Sequence, residues 1–160
     1  MSNVLVMFQA DTQTTEQMAL AVGVGAVEAE ANIRLRRLSA LGAVEVAHRG
    51  YGKLQAADLL WADSVAIALE SPIPRPEELG GLISLLREID PGRLNGKQAW
   101  TFSSEDSISG KSEAQNLVES ALRVAGMVLL PTETSTAGNG GDLIGQMKAV
   151  GRLLAKHYPY

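Results

Sequence analysis

Apolar residues along the chain are concentrated in four short runs, which lie at 4–8, 64–69, 98–102 and 127–130. Each run is continuous, which is typical of a strand that is buried on both faces of a parallel sheet. A fifth run, at 32–38, alternates aliphatic residues with arginines, as expected for a strand nearer the edge of the sheet. The pattern therefore predicts five strands.

Segments with a helical spacing of apolar residues lie between and after these strands. They are predicted at 15–31, 54–61, 76–90, 112–126 and 142–157. Two of them begin with a capping box, Thr14-x-x-Gln17 and Ser112-x-x-Gln115, in which side chains satisfy backbone N–H groups at the start of a helix. Pro76 suits the first helical position, because the N–H that proline lacks has no partner there.

Strands that alternate with helices of this length predict right-handed crossover connections and an α/β sandwich of three layers. We predict a five-stranded parallel sheet in the order 2-1-3-4-5 and a single domain over residues 1–160. In such a sheet the ligand binds outside the carboxyl ends of the strands, beside the first and third strands. Candidate site residues should therefore lie in the loops after the strands, at 9–14, 70–75, 103–111 and 132–141.

The first of these loops, ADTQTT at residues 10–15, would place hydroxyl and backbone N–H groups at the start of a helix, where anions bind readily. Two interpretations are open: a phosphate cradle, or a turn in which Thr14 caps the helix and the other threonines are solvated. Asp11 opposes a phosphate, since two unit charges about 6 Å apart repel by roughly 0.7–3 kcal/mol at dielectric constants between about 80 and 20. The helix dipole offers only about 0.3–1 kcal/mol in return.

The segment VLVMF, followed after three residues by T-x-T-T-E-Q-M-A, resembles the opening of flavodoxin-like FMN proteins. Later segments, LLWADSVAIALESPIPRPEEL, GKQAWTFSS, AGMVLLP and VGRLLAKH, are similar to the NAD(P)H:quinone oxidoreductase group of that family, of the tryptophan-repressor-binding-protein type. The resemblance runs in order along nearly the whole chain. It implies a flavodoxin-like fold, FMN as the cofactor, NAD(P)H and a quinone as reaction partners, and electron transfer as the function.

The resemblance also implies which residues hold the cofactor. The phosphate would be bound by Ala10, Thr12, Gln13, Thr14 and Thr15. The flavin ring would be bordered by Pro72, Ile73 and Arg75. The site would be closed by Ser103, Ser104, Glu105 and Asp106. No catalytic side chain is assigned.

Three differences from the family pattern fall in these loops. Gln13 stands where family members carry a glycine, whose freedom to adopt a positive φ lets the backbone approach the phosphate. Pro74 and Pro76 remove N–H donors from the second loop. Glu105 and Asp106 place negative charge where small neutral residues usually meet the flavin. The alternative function is therefore a non-catalytic module of the same fold that has lost FMN and acts in binding or assembly.

Composition and charge exclude several classes of protein. The chain has no cysteine, which excludes disulfide and thiol chemistry. A net charge of −4 gives no attraction to a nucleic-acid backbone, and we interpret Arg34, Arg36 and Arg37 as a solvated strand end. His48 and His157 lack the spacing of metal ligands, so no metal site is predicted.

The expected setting follows from the same features. No apolar stretch approaches the length of about 18 residues that spans a membrane. The first residues lack the basic region of a secretory signal, so we expect a cytoplasmic protein. Trp61 and Trp100 are predicted to be core residues rather than flavin contacts. The helix from Pro76 presents more leucine than one buried face needs, and we expect a homo-oligomer that buries part of it.

Overall fold

The computed structural model describes residues 2–8, 13–38, 52–69, 76–103, 113–130 and 143–156. Strands and helices alternate along these segments. In chain order they are β1 (Asn3–Phe8), α1 (Gln13–Glu28), β2 (Asn32–Arg37), β3 (Gly52–Lys53), α2 (Ala56–Trp61), β4 (Ser64–Leu69), α3 (Pro76–Glu88), β5 (Gln98–Ser103), α4 (Glu113–Val124), β6 (Val128–Leu129) and α5 (Leu143–Lys156).

The described strands pair in parallel, in the order β3-β2-β1-β4-β5-β6. The predicted order 2-1-3-4-5 is confirmed, because the five predicted strands correspond to β1, β2, β4, β5 and β6. The two-residue β3 is an additional edge strand that pairs with the end of β2, and it is too short to carry a periodic pattern. Since β1 lies between β2 and β4, the direction in which the chain winds reverses between β1 and β4.

The central strand β1 is buried on both faces, as its continuous apolar run predicts. Val4, Val6 and Phe8 belong to one hydrophobic cluster with residues of α1 and α5. Leu5 and Met7 point to the opposite face and belong to a second cluster with residues of α2, α3 and α4. The helices therefore form a layer on each face of the sheet, which confirms the three-layer α/β fold.

Strand β2, next to the short edge strand β3, carries a different pattern on its two faces. Arg34 and Arg36, which alternate with aliphatic residues, both form ion pairs with Asp58 of α2. Arg34 Nη1 lies 3.1 Å from Asp58 Oδ1, and Arg36 Nε lies 3.1 Å from Asp58 Oδ2. The Asp58 side chain is only 6% exposed. The interpretation of these two arginines as a solvated strand end is therefore wrong, because their guanidinium groups neutralise a buried carboxylate.

Asp58 also joins β2 to the start of α2, since its carboxylate accepts a hydrogen bond of 3.0 Å from the Gln55 backbone N–H. We expect Asp58→Ala to lower the free energy of unfolding by about 1–3 kcal/mol, because it leaves two charged groups and one N–H without their acceptor. The loss stays below that of a fully buried pair because both arginines remain partly in water. Urea denaturation measures it, with the exposed Glu88→Ala as control; equal stability of the two variants would contradict the assignment.

The two tryptophans have different environments. Trp100 is fully buried and stacks on Phe102 with ring centroids 4.5 Å apart, which confirms its prediction as a core residue. Trp61 is half-buried at the margin of the second cluster. The Arg34 guanidinium lies over its ring, 4.2 Å from the centroid, in a cation–π arrangement. The prediction of a core position is therefore correct for Trp100 and only partly correct for Trp61.

Helices α1 and α5 are in direct backbone contact through two glycines. A Cβ atom on Gly25 would lie 1.9 Å from the Lys148 carbonyl oxygen, and one on Gly151 would lie 2.0 Å from the Val22 carbonyl oxygen. At the end of this contact Arg152 Nη1 pairs with Glu28 Oε1 at 2.8 Å. The close contact fixes the position of α1, the helix that begins beside the carboxyl edge of the sheet.

Candidate functional site

Four of the predicted loops follow neighbouring strands of the sheet. The strands β1, β4, β5 and β6 lie side by side in that order, and the loops at 9–14, 70–75, 103–111 and 132–141 begin where these strands end. Because the strands are parallel, their carboxyl ends share one edge. This edge contains the reversal of winding between β1 and β4, which is where open α/β sheets bind ligands.

Helix α1 begins at this edge, and four residues separate it from the end of β1. It is 16 residues long, so the N–H groups of its first turn and the positive end of its dipole point towards the edge. The helix starts at Gln13, which makes Thr14 its second residue rather than the cap that the sequence predicts. The helix therefore begins two residues earlier than predicted, which brings its first turn closer to β1.

The first turn of α1 carries two buried polar side chains. Thr15 is fully buried, and Glu16 is 8% exposed. Burial of Thr15 excludes the interpretation in which this threonine is merely solvated. Glu16 is a feature that the sequence interpretation missed, although an acidic residue in the first turn is a common signal of a helix start. Its carboxylate adds negative charge near any anion at this end of the helix.

The remaining predicted site residues are distributed as follows. Gln13 and Thr14 lie in the first turn of α1, and Ser103 is the last residue of β5; for these three, the backbone alone is described. Outside the described residues lie Ala10, Thr12, Pro72, Ile73, Arg75, Ser104, Glu105 and Asp106. The structure thus brings Thr15 and Ser103 to the same edge of the sheet, and the roles of all these residues stay predictions.

A buried polar network lies beneath the end of β5. The Thr101 hydroxyl donates to Glu119 Oε2 at 2.5 Å, and the Gln115 side-chain amide donates to Thr101 Oγ1 at 3.5 Å. Glu119 is 3% exposed, and its other oxygen lies 3.7 Å from Arg123 Nη2. The network ties α4 to β5 two residues before Ser103. It therefore fixes the two elements that flank the third loop, and it gives Gln115 a partner besides the predicted capping box.

At the opposite, amino edge of the sheet a lysine caps a helix. Lys97 Nζ donates to three backbone carbonyls at the end of α2: Leu59 at 3.3 Å, Leu60 at 2.8 Å and Ala62 at 2.5 Å. Burial lowers the pKa of Lys97, while the nearby Asp63 carboxylate raises it in part and Arg93 lowers it further. This ammonium group satisfies helix carbonyls and lies far from the carboxyl edge.

In the part of the chain that the structure describes, no helix is long and apolar enough to cross a membrane. The same residues contain no group of three or more histidine, aspartate or glutamate side chains that could hold a metal ion. His48 and His157 lie outside the described residues.

The carboxyl edge meets the main geometric requirement for the phosphate of FMN. A helix N-terminus lies beside the reversal of winding, and a threonine in its first turn is withdrawn from water. The segments that would contact the flavin ring, 70–75 and 104–112, fall outside the described residues. The described residues thus fit the phosphate end of the cofactor.

Known proteins resemble this chain in structure rather than in sequence. No protein-family model matches the sequence, and no curated protein matches it. Among solved structures, oxidised flavodoxin 2 from Bacillus cereus is 16% identical, with 97% of this chain and 99% of that chain covered and a TM-score of 0.67. The fold is flavodoxin-like.

Two more solved structures support this fold. A short-chain flavodoxin associated with a non-canonical PDU bacterial microcompartment is 18% identical, with 98% of each chain covered and a TM-score of 0.67. RosB with a bound 8-demethyl-8-formylriboflavin-5'-phosphate is 10% identical, covering 98% of this chain and 79% of that chain, with a TM-score of 0.60. At these identities the likeness shows the fold, and the narrower resemblance to quinone oxidoreductases stays a prediction.

Proposed function

We propose that this protein binds FMN at the carboxyl edge of its sheet and transfers electrons. The observation that carries the proposal is the position of α1, which begins at the reversal of winding with four residues between it and the central strand β1. Two kinds of structural neighbour support it. The Bacillus cereus protein is a flavodoxin, and RosB holds a riboflavin-5'-phosphate derivative.

The phosphate of FMN would be bound at the start of α1. The N–H groups of the first turn of α1 and the hydroxyls of Thr12, Thr14 and Thr15 would bind the phosphate. The backbone contact between α1 and α5, in the second half of α1, holds the helix as a whole in position on the sheet.

FMN, when bound, supplies the electron-accepting ring, and the protein supplies position and electrostatics. Pro72, Ile73 and Arg75 would border the ring, and Ser103 to Asp106 would close the site over it. The carboxylates of Glu105 and Asp106 would disfavour added negative charge on the ring and so lower its reduction potential. With NAD(P)H as donor and a quinone as acceptor, this protein would act as a quinone or flavin reductase.

Titration of the purified protein with FMN tests the proposal. We expect saturable binding with a visible flavin absorption band, and weaker binding of riboflavin, because riboflavin lacks the phosphate that α1 would hold. Oxidation of NAD(P)H by a quinone, measured on the FMN-loaded protein, then separates a reductase from an electron carrier that needs another protein as its donor. If FMN shows no saturable binding, the alternative of a module without cofactor is favoured instead.

A further inference from the structure

An open groove of about 570 Å³ lies between the C-terminal half of α3, residues 117–124 of α4 and the turn that follows α3. It lies at the amino edge of the sheet, opposite the edge where we place FMN. The α4 wall presents Leu117, Ala121 and Val124, which share one helix face through their i, i+4, i+7 spacing. The α3 wall presents Ile83 and Leu86, so both walls are largely apolar.

Two aliphatic side chains on the α4 wall are exposed to solvent. Val124 is 89% exposed, and Leu117 is 53% exposed. A hollow and two projecting apolar side chains thus occur on the same patch. A surface that pairs with an identical copy about a two-fold axis has to be complementary to itself, and a hollow beside projecting side chains meets this requirement.

The charges of the groove are also matched to a second copy. Among the described residues that line it, the charged ones are Arg87, in the last turn of α3, and Asp90, three residues later. Neither side chain forms an ion pair within the described part of the chain. A two-fold axis that passes between them would place Arg87 of each copy opposite Asp90 of the other. A purely acidic or purely basic partner would match only one of the two charges.

We propose that this groove is the interface of a two-fold homodimer. Leu117 and Val124 of each copy enter the groove of the other, and Arg87 and Asp90 form two reciprocal ion pairs across the axis. A two-fold interface of this kind closes on itself, so association stops at the dimer. A homo-oligomer that buries part of α3 is expected from the leucine-rich sequence of this helix, and the groove would be its contact surface. This arrangement leaves the carboxyl edge of the sheet open to ligands.

Sedimentation of the chain of residues 1–160 tests the apolar part of the interface. We expect the wild type to sediment with twice the 17.0 kDa chain mass at concentrations on the order of 10 μM. Val124→Asp should raise the dissociation constant of the dimer at least about a hundredfold, because it places an unpaired charge in each half of the interface. Val24→Asp, at a 44% exposed position on α1 in the opposite layer, should leave it unchanged. Thermal melts check that both variants are folded.

A wild type that stays monomeric up to about 100 μM would overturn the proposal. So would a Val124→Asp variant that associates as tightly as the wild type, since another surface would then carry the dimer. An interface that forms only after addition of another protein or of lipid vesicles would assign the groove to that partner and also overturn it.

Exchange of the charges tests the two-fold geometry independently. Arg87→Glu makes this part of the groove wholly acidic, and Asp90→Arg makes it wholly basic, so each variant alone should associate at least about tenfold more weakly than the wild type. An equimolar mixture of the two should recover the dimer, because each acidic group then faces a basic one. Native mass spectrometry identifies the mixed species. If the mixture stays as weakly associated as its components, the reciprocal pairing is wrong.

Discussion

Replacement of Gly151 by alanine is expected to destabilise this protein strongly, because the added methyl group would collide with the backbone of α1. The new Cβ would lie 2.0 Å from the Val22 carbonyl oxygen and 2.9 Å from the Ala26 backbone nitrogen. Both atoms belong to the backbone of α1, so no side chain can rotate out of the way. The two helices would have to separate by about 1 Å or more, which opens the core along their whole contact.

The expected cost is at least about 3 kcal/mol, at or above the upper end for overpacked cores, because the strain falls on two helices rather than on a flexible side chain. For a domain of this size, that corresponds to a fall of roughly 6–12 °C in the melting temperature. Circular dichroism at about 222 nm follows the helix content on heating and so measures the fall in melting temperature.

Gly80→Ala is the matched control for this change. Gly80 lies in α3, and a Cβ placed there has no neighbouring atom within 4 Å. Alanine is favoured over glycine inside a helix by about 0.5–1 kcal/mol, so this variant should be slightly more stable than the wild type. If Gly151→Ala also proves neutral or stabilising, the direct backbone contact between α1 and α5 does not exist in solution.

The strands and helices could be predicted because buried segments have a recognisable local pattern of apolar residues. Strand β1 lies at the centre of the sheet with both faces covered, and its side chains are accordingly apolar at every position from Val4 to Phe8. Pro76 begins α3 as its position in the sequence indicates. The alternation of such elements leaves few topologies, since parallel connections are short and right-handed.

Contacts between distant residues could not be predicted in the same way. Asp58 lies 24 and 22 residues from the arginines that it neutralises, and nothing in the alternation of β2 indicates a carboxylate opposite them. The contact of Gly151 with Val22 joins the last helix to the first. A glycine inside a helical pattern either merely lowers the stability of the helix or allows another backbone to pack closely against it. Only the packed structure distinguishes these two cases.

The candidate site, too, could be predicted only in part. The positions of its loops could be predicted, because they follow the ends of the strands and the apolar runs indicate where the strands end. The burial of Thr15 and Glu16 could not be predicted from the sequence. Helical periodicity assigns these residues to a face of α1, but it does not indicate which residues cover that face. Of the two interpretations that the sequence left open for this loop, the one with a solvated Thr15 is excluded, because this side chain is enclosed where α1 meets the sheet edge.

Removal of the Thr15 hydroxyl is expected to weaken FMN binding strongly if the first turn of α1 holds the phosphate. Thr15→Val keeps the shape of the side chain and removes its hydrogen-bonding group. A hydrogen bond to a charged group contributes roughly 1.5–3 kcal/mol, so the dissociation constant for FMN should rise about ten- to hundredfold. Quenching of FMN fluorescence on titration measures this constant.

Thr15→Ser is the control that separates binding from folding. Thr15 is fully buried, so both substitutions should lower the stability of the protein without FMN by a similar amount, about 1 kcal/mol. The serine variant keeps the hydroxyl and should bind FMN within about threefold of the wild type, a difference of roughly 0.7 kcal/mol. Equal FMN affinity of the valine and serine variants would show that this hydroxyl does not contact the phosphate.

The charge next to this turn provides the complementary test. Asp11→Ser removes the carboxylate that opposes a phosphate and keeps the turn chemistry, so FMN should bind about three- to hundredfold more tightly, as expected from a repulsion of roughly 0.7–3 kcal/mol. Riboflavin should gain far less, because it lacks the phosphate charge. The double variant Asp11→Ser, Gln13→Gly also restores the glycine at which the backbone can approach the phosphate. If even this variant shows no saturable FMN binding, the electron-transfer function has to be abandoned in favour of a flavodoxin-like module without cofactor.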